Sequence, residues 1–340
     1  MDPVLRSAPA YGGVTEVRRI LVLGGGGFLG TAVRTRLSGS AVTGWAEAVP
    51  AGPGRSDCPM EFRVLRGERS TGYDLTVDLA RTSVDALARG LDRLAPDAVV
   101  NCAGALAGPA SEVSGADARG PAVLVEAMAL AAPWARLVHL GSAAEYGSAA
   151  PGTTLSEDAP ARPTGLYGAA KLAGTLAVTG SGLDAVVLRV FNPVGAGAPP
   201  TGLPGRLAAA LRETPPHGAV RTGGLTAYRD FVHVTDVAEA VALAATTPGP
   251  LPPVVNVGSG RATRARTLAE ALAVVAGFSG RIEESGAPAA RSAALDWQRA
   301  DISLAARTLG WRPARTLHEA LIALWRAAAA APERAAARTG

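Results

Sequence analysis

Glycines stand at the first, fourth and seventh positions of Gly24-Gly25-Gly26-Gly27-Phe28-Leu29-Gly30, directly behind the apolar run Ile20-Leu21-Val22-Leu23. A short run that is apolar at every position suits a strand buried on both faces, as at the centre of a parallel sheet. The glycines turn the chain, and Phe28 to Leu37 continue as a helix. Bare backbone at such a turn can approach a pyrophosphate closely, and the helix N-terminus offers N–H donors and a favourable dipole. In a chain with 41 glycines the spacing alone would say little; its place behind the first strand is what points to a dinucleotide site.

The alternation of strand and helix continues. Strands are expected at 98–101, 136–140 and 185–190, with helices at 122–130 and 167–178 between them. The fold class this implies is α/β, a Rossmann-type doubly wound parallel sheet with a smaller C-terminal α/β substrate-binding region. Residues 1–17 read as a loose leader and 18–192 as the dinucleotide-binding domain, to which the chain returns around 229–260. Residues 193–326 read as mainly the substrate-binding domain, with helices near 207–212, 267–276 and 301–309 and a strand at 254–257. A last helix starts at Thr316, whose hydroxyl forms a capping box with Glu319, and the Ala-rich tail from 327 is expected to fray.

Of 33 Lys plus Arg, one is lysine: Lys171, four residues after Tyr167 in Leu166-Tyr167-Gly168-Ala169-Ala170-Lys171. A chain that uses arginine everywhere else needs something here that arginine cannot supply, a compact ammonium on a thin stem. Four residues apart on a helix, phenol and ammonium share one face, an arrangement suited to proton transfer in ketone–alcohol chemistry.

A net charge of +4 invites a nucleic-acid reading, but aromatics are 4% of the chain and no dense basic stripe with interleaved rings occurs. Nucleic acid is therefore not expected as a partner, and scattered arginines suit a phosphorylated small molecule. Cys58 and Cys102 show neither metal-ligand nor disulfide-framework spacing, so no metal is expected. No signal peptide and no run of about 20 apolar residues is present, which makes a cytoplasmic location without membrane contact the expectation.

The second strand is read at Ala41-Val42-Thr43, and no carboxylate ends it. Without an acid there a 2′-phosphate is not repelled, and Arg34, Arg36 or Arg55 lies near enough in sequence to receive it. The expectation is NADPH in preference to NADH, with NAD kept open should Glu47 fill the role after a slip of one residue.

In order along the chain stand the glycine loop; Val77-Asp78-Leu79; Asn101-Cys102-Ala103-Gly104; Gly141-Ser142-Ala143-Ala144-Glu145-Tyr146-Gly147; and Tyr167 to Lys171. Arg189-Val190-Phe191-Asn192, Tyr228-Arg229-Asp230-Phe231-Val232-His233-Val234-Thr235-Asp236 and Asn256-Val257-Gly258-Ser259-Gly260 follow. Together they resemble the extended short-chain dehydrogenase/reductase family, in its nucleotide-sugar branch, from about Arg18 to Arg326. The resemblance implies catalytic roles for Ser142, Tyr167 and Lys171: hydrogen bond to the substrate oxygen, proton donor, and cation that holds the nicotinamide ribose and acidifies the phenol. It implies cofactor contacts at Gly24, Gly27, Phe28, Leu29, Asp78, Leu79, Ala103 and Gly104 as well as Tyr167 and Lys171. For a nucleoside-diphosphate sugar it implies contacts from Ser142, Asn192, Arg229 and Arg291, and it implies a homodimer through helices near 122–130 and 166–178. His233 is expected to pack structurally.

Within the branch, sugar 4,6-dehydratases carry Asp-Glu directly after the Ser/Thr, because eliminating water needs a second acid and base. Here those positions are Ala143 and Ala144. The cysteine and histidine of 3,5-epimerase-reductases are missing from Asn192-Pro193-Val194-Gly195-Ala196-Gly197. That loop and the Ser142–Gly147 segment resemble GDP-4-keto-6-deoxymannose reductases and their TDP-sugar relatives. The leading expectation is NADPH-dependent reduction of the 4-keto group of a TDP- or GDP-linked 4-keto-6-deoxyhexose in deoxysugar biosynthesis. A 4-epimerase with bound NAD and a non-catalytic dinucleotide-sensing regulator stay open as alternatives.

Overall fold

In a computed structural model of the chain, the residues described are 17–39, 61–285 and 296–336. The first strand, β1 (Val17–Leu23), sends Ile20 and Val22 into one apolar core and Leu21 and Leu23 into another on the opposite side. Successive side chains point to opposite faces, so a strand covered on both sides has to be apolar throughout. The glycine turn leads into α1 (Phe28–Ser38).

Beside β1 lies β2 (Glu61–Glu68), parallel, with Val17 opposite Glu61 and Leu23 opposite Gly67; β3 (Leu75–Thr76) extends that edge. The expected strand at 41–43 falls outside the described residues, and its place next to β1 is taken by Glu61–Glu68. Next come α2 (Val84–Leu94), capped by Ser83 Oγ accepting from Ala86 N at 3.3 Å, and β4 (Ala98–Asn101) on the other side of β1. A short α3 (Ala110–Ser114), a π-helical turn (Gly115–Arg119) and α4 (Gly120–Ala131) run continuously. Then follow β5 (Arg136–Ser142), α5 (Leu166–Thr179), β6 (Ala185–Val190) and β7 (Asn192–Val194).

The later elements are α6 (Leu203–Glu213), β8 (Ala219–Thr222), β9 (Tyr228–His233), α7 (Val234–Thr246), β10 (Val254–Val257) and β11 (Ala262–Arg264). The last are α8 (Ala265–Val275), β12 (Arg281–Glu284), α9 (Ser303–Leu309) and α10 (Leu317–Ala336). The main sheet is parallel and seven-stranded, in the order β10-β6-β5-β4-β1-β2-β3. Strand order reverses between β1 and β4, which opens a crevice at their carboxyl ends, the place where doubly wound sheets bind ligands. Two small sheets, β11-β9-β7 and β12-β8, lie with α6, α8 and α10 around a separate core that includes Leu207, Leu268, Leu272 and Leu321.

Helix α7 is absent from the sequence reading for a physical reason. Ten of its thirteen residues are buried, so it has little of the polar face that makes a helix visible as a period. At the C-terminus the Thr316–Glu319 capping box is present, with Glu319 N donating to Thr316 Oγ1 at 3.2 Å and Thr316 N to Glu319 Oε2 at 2.7 Å. The helix then runs through Ala336 instead of fraying from 327, in keeping with alanine's helix propensity.

Candidate active site

The crevice holds a cleft of about 630 Å³ whose walls bring together Gly27, Phe28, Leu29, Gly104, Ser142, Tyr167, Lys171, Asn192 and Arg229. At its glycine end, Gly24 has a φ of +70°, and a Cβ there would sit 2.7 Å from Ala103 N. A Cβ on Gly30 would lie 2.1 Å from Gly24 O, so the helix can start this close to the strand only with glycine at both places. Gly27 caps α1 without a side-chain hydrogen bond, and the first turn has no acid. The N–H groups and the positive end of the helix dipole are therefore left for an anion.

Strand β2 ends on Glu68, and this overturns the expectation that no carboxylate follows the second strand. Its carboxylate oxygens lie 3.2–3.4 Å from where side chains on Gly25 and Gly26 would begin. The side chain is 15% exposed, 4.0 Å from Arg66 Nη2, and its Oε1 accepts no hydrogen bond. A buried oxygen with unused lone pairs beside the phosphate loop is placed to accept from a ribose hydroxyl. Of the arginines expected near a 2′-phosphate, Arg36 donates to Glu239 on α7 (2.9 Å from Nη2 to Oε1), and Arg34 Nε donates to Gly25 O at 2.8 Å. Arg55 and Glu47 lie outside the described residues. Glu68, loop amides and helix N-terminus form a donor and acceptor set that fits NAD(P).

Asp78 and Leu79 follow β3 beyond the cleft's lining; Asp78 Oδ1 accepts from Ala80 N at 3.1 Å, and Leu79 is buried. Val77 N donates to Glu68 O at 2.7 Å, which ties this segment to the end of β2. On the β4 side, Asn101 Oδ1 accepts from Ala103 N (3.1 Å) while its Nδ2 donates to His139 Nδ1 (3.1 Å). Burial, with Lys171 nearby, holds the His139 imidazole down at about 3, so it is neutral. Burial likewise pushes the Cys102 thiol up to about 12, against the pull of Lys171, so it keeps its proton at neutral pH.

Ser142 ends β5 with its backbone N donating to Glu145 Oε1 at 2.7 Å and its Oγ accepting from Ala144 N at 3.2 Å. Glu145, fully buried, also accepts from Thr175 Oγ1 (2.9 Å) and Arg189 Nε (2.8 Å). Tyr167 lies in the first turn of α5 and Lys171 one turn later, both facing the cleft. Lys171 Nζ donates to Leu140 O at 3.0 Å and pairs with Asp117 Oδ1 at 3.0 Å. Burial alone would pull this ammonium down, but Tyr167 and Asp117 outweigh it and hold it above the ordinary lysine value.

Elsewhere on the cleft wall, Asn192 Nδ2 donates to Asp230 O at 3.0 Å, and Gln298 Nε2 donates to Ala143 O at 3.1 Å. Arg229 is buried, with Nη1 donating to Tyr228 O at 2.9 Å. Burial pulls its guanidinium down to about 10, against Asp296, and no carboxylate among the described residues pairs with it. A buried cation without a counter-ion at a cleft wall suits a phosphate. Arg206, in the first turn of α6, lines the same space. Arg291 lies outside the described residues. His233 is structural: its Nδ1 accepts from Thr235 N at 3.1 Å and caps α7.

Glu68, Asp117, Arg206 and Gln298 lie at or beside the cleft and are not singled out by sequence reading, whereas Glu145 is read there as part of the Ser142–Gly147 segment. Only Glu68 leaves a signal, an acid at the end of a strand-like run, Phe62-Arg63-Val64-Leu65-Arg66. Among the described residues no group of three His, Cys, Asp or Glu gathers as for a metal, and no helix is long and apolar enough to cross a membrane.

Known proteins resemble this chain in sequence and fold. The chain is 40% identical over 334 residues to a dTDP-6-deoxy-L-talose 4-dehydrogenase (NAD(P)(+)) from Kitasatospora kifunensis, covering 94% of this chain and 98% of that protein. Its structure resembles the Thermus thermophilus UDP-glucose 4-epimerase in complex with NAD (TM-score 0.72, 26% identity, 92% and 99% of the two chains). It also resembles RMD from Pseudomonas aeruginosa complexed with NADPH (TM-score 0.71, 22% identity, 92% and 98%), a likeness of fold. The model of the NAD dependent epimerase/dehydratase family matches residues 20–258, the span that carries the glycine loop, Ser142, Tyr167 and Lys171. With its parallel sheet, phosphate loop and Tyr–Lys helix on one cleft, the chain belongs to that family and is an NAD(P)-dependent nucleotide-sugar oxidoreductase.

Proposed function

We propose that the chain interconverts the 4-hydroxyl and 4-keto forms of a nucleoside-diphosphate 6-deoxyhexose, working toward reduction of the ketone. The observation that carries this reading is the single cleft wall formed by Ser142, Tyr167 and Lys171, with Ala143 and Ala144 where a dehydratase would need acids. The likeness to a dTDP-6-deoxy-L-talose 4-dehydrogenase supports it and favours dTDP as carrier over GDP.

The bound nicotinamide supplies or takes the hydride. Ser142 Oγ donates a hydrogen bond to the sugar carbonyl oxygen, its backbone held by Glu145. The Tyr167 hydroxyl gives that oxygen its proton, and hydride plus proton convert ketone to alcohol. Lys171, anchored on Leu140 O and Asp117, holds positive charge beside the phenol. Arg229, assisted by Arg206, holds the diphosphate, and Asn192 faces the sugar.

The test is incubation with a dTDP-4-keto-6-deoxyhexose and NADPH, following nicotinamide absorbance and product mass. Stoichiometric loss of NADPH with a gain of two hydrogens is the expected result. No NADPH loss with the ketone, together with inversion at C4 of a 4-hydroxy nucleotide sugar in the presence of NAD and without net redox change, would instead favour the second reading, a 4-epimerase, which the likeness to UDP-glucose 4-epimerases and Glu68 support.

The preference for NADPH loses its premise with Glu68, and the reading here is that both coenzymes serve. Glu68 suits the free 2′-hydroxyl of NADH, while Arg66 and Arg69 flank it with positive charge. Glu68→Ala is expected to shift the ratio of kcat/KM values toward NADPH by about tenfold, one close charge contact. An unchanged ratio would remove Glu68 from coenzyme selection.

A homodimer is proposed on the outer faces of the adjacent helices α4 and α5, where Leu130 (68%) on α4 and Leu176 (62%) on α5 are exposed, with Trp134 (59%) in the turn after α4. Light scattering is expected to give twice the monomer mass, and Leu176→Arg to give the monomer. A monomeric wild-type chain would overturn it.

A further inference from the structure

The chain's single lysine does not stand alone in the cleft wall. The π-helical turn Gly115–Arg119 widens the path between α3 and α4 and directs Asp117 inward, where it is fully buried. Asp117 Oδ2 accepts from Ala105 N at 3.2 Å, and Oδ1 lies 3.0 Å from Lys171 Nζ with no other partner. Glycines make room for the contact. A Cβ on Gly104 would fall 2.6 Å from Asp117 Oδ1 and 3.1 Å from Lys171 Nζ, and one on Gly174 would fall 2.4 Å from Asp117 O. The carboxylate is thus locked against the ammonium by backbone on two sides.

Other titratable groups near Lys171 are neutral or already engaged. Tyr167 shares its helix; His139 on β5 and Cys102, directly after β4, are uncharged. Glu145 faces it from the end of β5 but is taken up by Ser142 N, Thr175 and Arg189. Asp117 is therefore the carboxylate that pairs with the ammonium among the described residues.

We propose that Asp117 is a positioning residue which keeps the Tyr167–Lys171 pair fully protonated, and so poises the site to donate a proton to a ketone. An ammonium beside a phenol draws off the phenol's proton; a fixed negative charge in contact with that ammonium opposes the loss. Tyrosine and lysine in contact give up protons as a pair, and a third, negative neighbour moves the first loss to higher pH whichever residue releases it. Reduction needs the protonated phenol, so the carboxylate extends to higher pH the range in which the site can give its proton to a ketone. This inference rests on the catalytic reading of Tyr167 and Lys171.

The lone lysine supplies the probe. Protein grown with 13C-lysine gives one side-chain Cε resonance, that of Lys171, readable in the full chain without assignment. Wild type is expected to keep the ammonium resonance up to about pH 10. In Asp117→Asn, which preserves shape and removes charge, the first inflection is expected about one pH unit lower or more. The alkaline limb of ketone-reduction kcat should fall by the same interval. An unmoved inflection, or lost activity with an unmoved pH profile, overturns the proposal. Should the variant not fold, the wild-type titration still decides: an inflection below about pH 9 overturns it. Retained activity in Tyr167→Phe would instead overturn the catalytic reading and leave the lysine titration standing.

Discussion

Tyr167→Phe is expected to lower ketone-reduction kcat by about 10³-fold, within the range that a positioned general acid contributes. The phenyl ring keeps the space and packing of the original, and what leaves is one hydroxyl. Lys171 remains on Leu140 O and Asp117, and the glycine loop and α1 N-terminus are untouched, so coenzyme affinity should stay within about twofold. Single-turnover mixing with bound NADPH separates the two effects, since the chemical step slows while coenzyme fluorescence titration does not move. A variant retaining more than about a tenth of wild-type turnover would mean that another group supplies the proton. Tyr146, the other tyrosine near Ser142, is a poor substitute. Burial pushes its phenol up to about 12, against Arg189, and its hydroxyl donates to Asn256 Oδ1 at 2.7 Å.

Glu145→Ala is expected to be the most damaging single change to stability near the site, by about 3–5 kcal/mol, because it breaks a buried ion pair by removing one partner. Arg189 would be left as an uncompensated cation with its side chain 7% exposed, and Ser142 N and Thr175 Oγ1 would lose their acceptor. Activity should fall as well, since Ser142 is held at the cleft partly through that backbone contact. Glu145→Gln keeps an acceptor of the same shape and should retain more of both, which distinguishes lost charge from lost packing. Urea melts of the three proteins, with kcat/KM measured well below their midpoints, make the comparison. A loss under about 1 kcal/mol in Glu145→Ala would show that the pair contributes little net stability, as some buried ion pairs do.

Much of the cleft is legible in the sequence because its parts are local. Strand, glycine turn and helix at 17–38 follow from burial of Ile20 to Leu23 on both faces and from the close approach of Gly24 and Gly30. Tyr167 and Lys171 share a helix face by spacing alone, and Ser142 ends an apolar strand. The misreadings lie where partners come from elsewhere in the chain. Arg36 looked available to a phosphate, but helix α7, itself too uniformly buried to show a period, brings Glu239 against it. The acid at the end of the second strand, Glu68, goes unread because the strand beside β1 is not the next apolar run in sequence but 61–68.

By itself, the sequence determined the first strand, the glycine loop and the shared helix face of Tyr167 and Lys171, because periodicity and spacing report which face of an element is buried. Only the tertiary structure decided which charges meet. The parallel order brings a π-helical turn against α5, and there Asp117 reaches the one lysine. Such a pairing depends on the direction of a crossover and on the room left by two glycines, neither of which leaves a period in the chain.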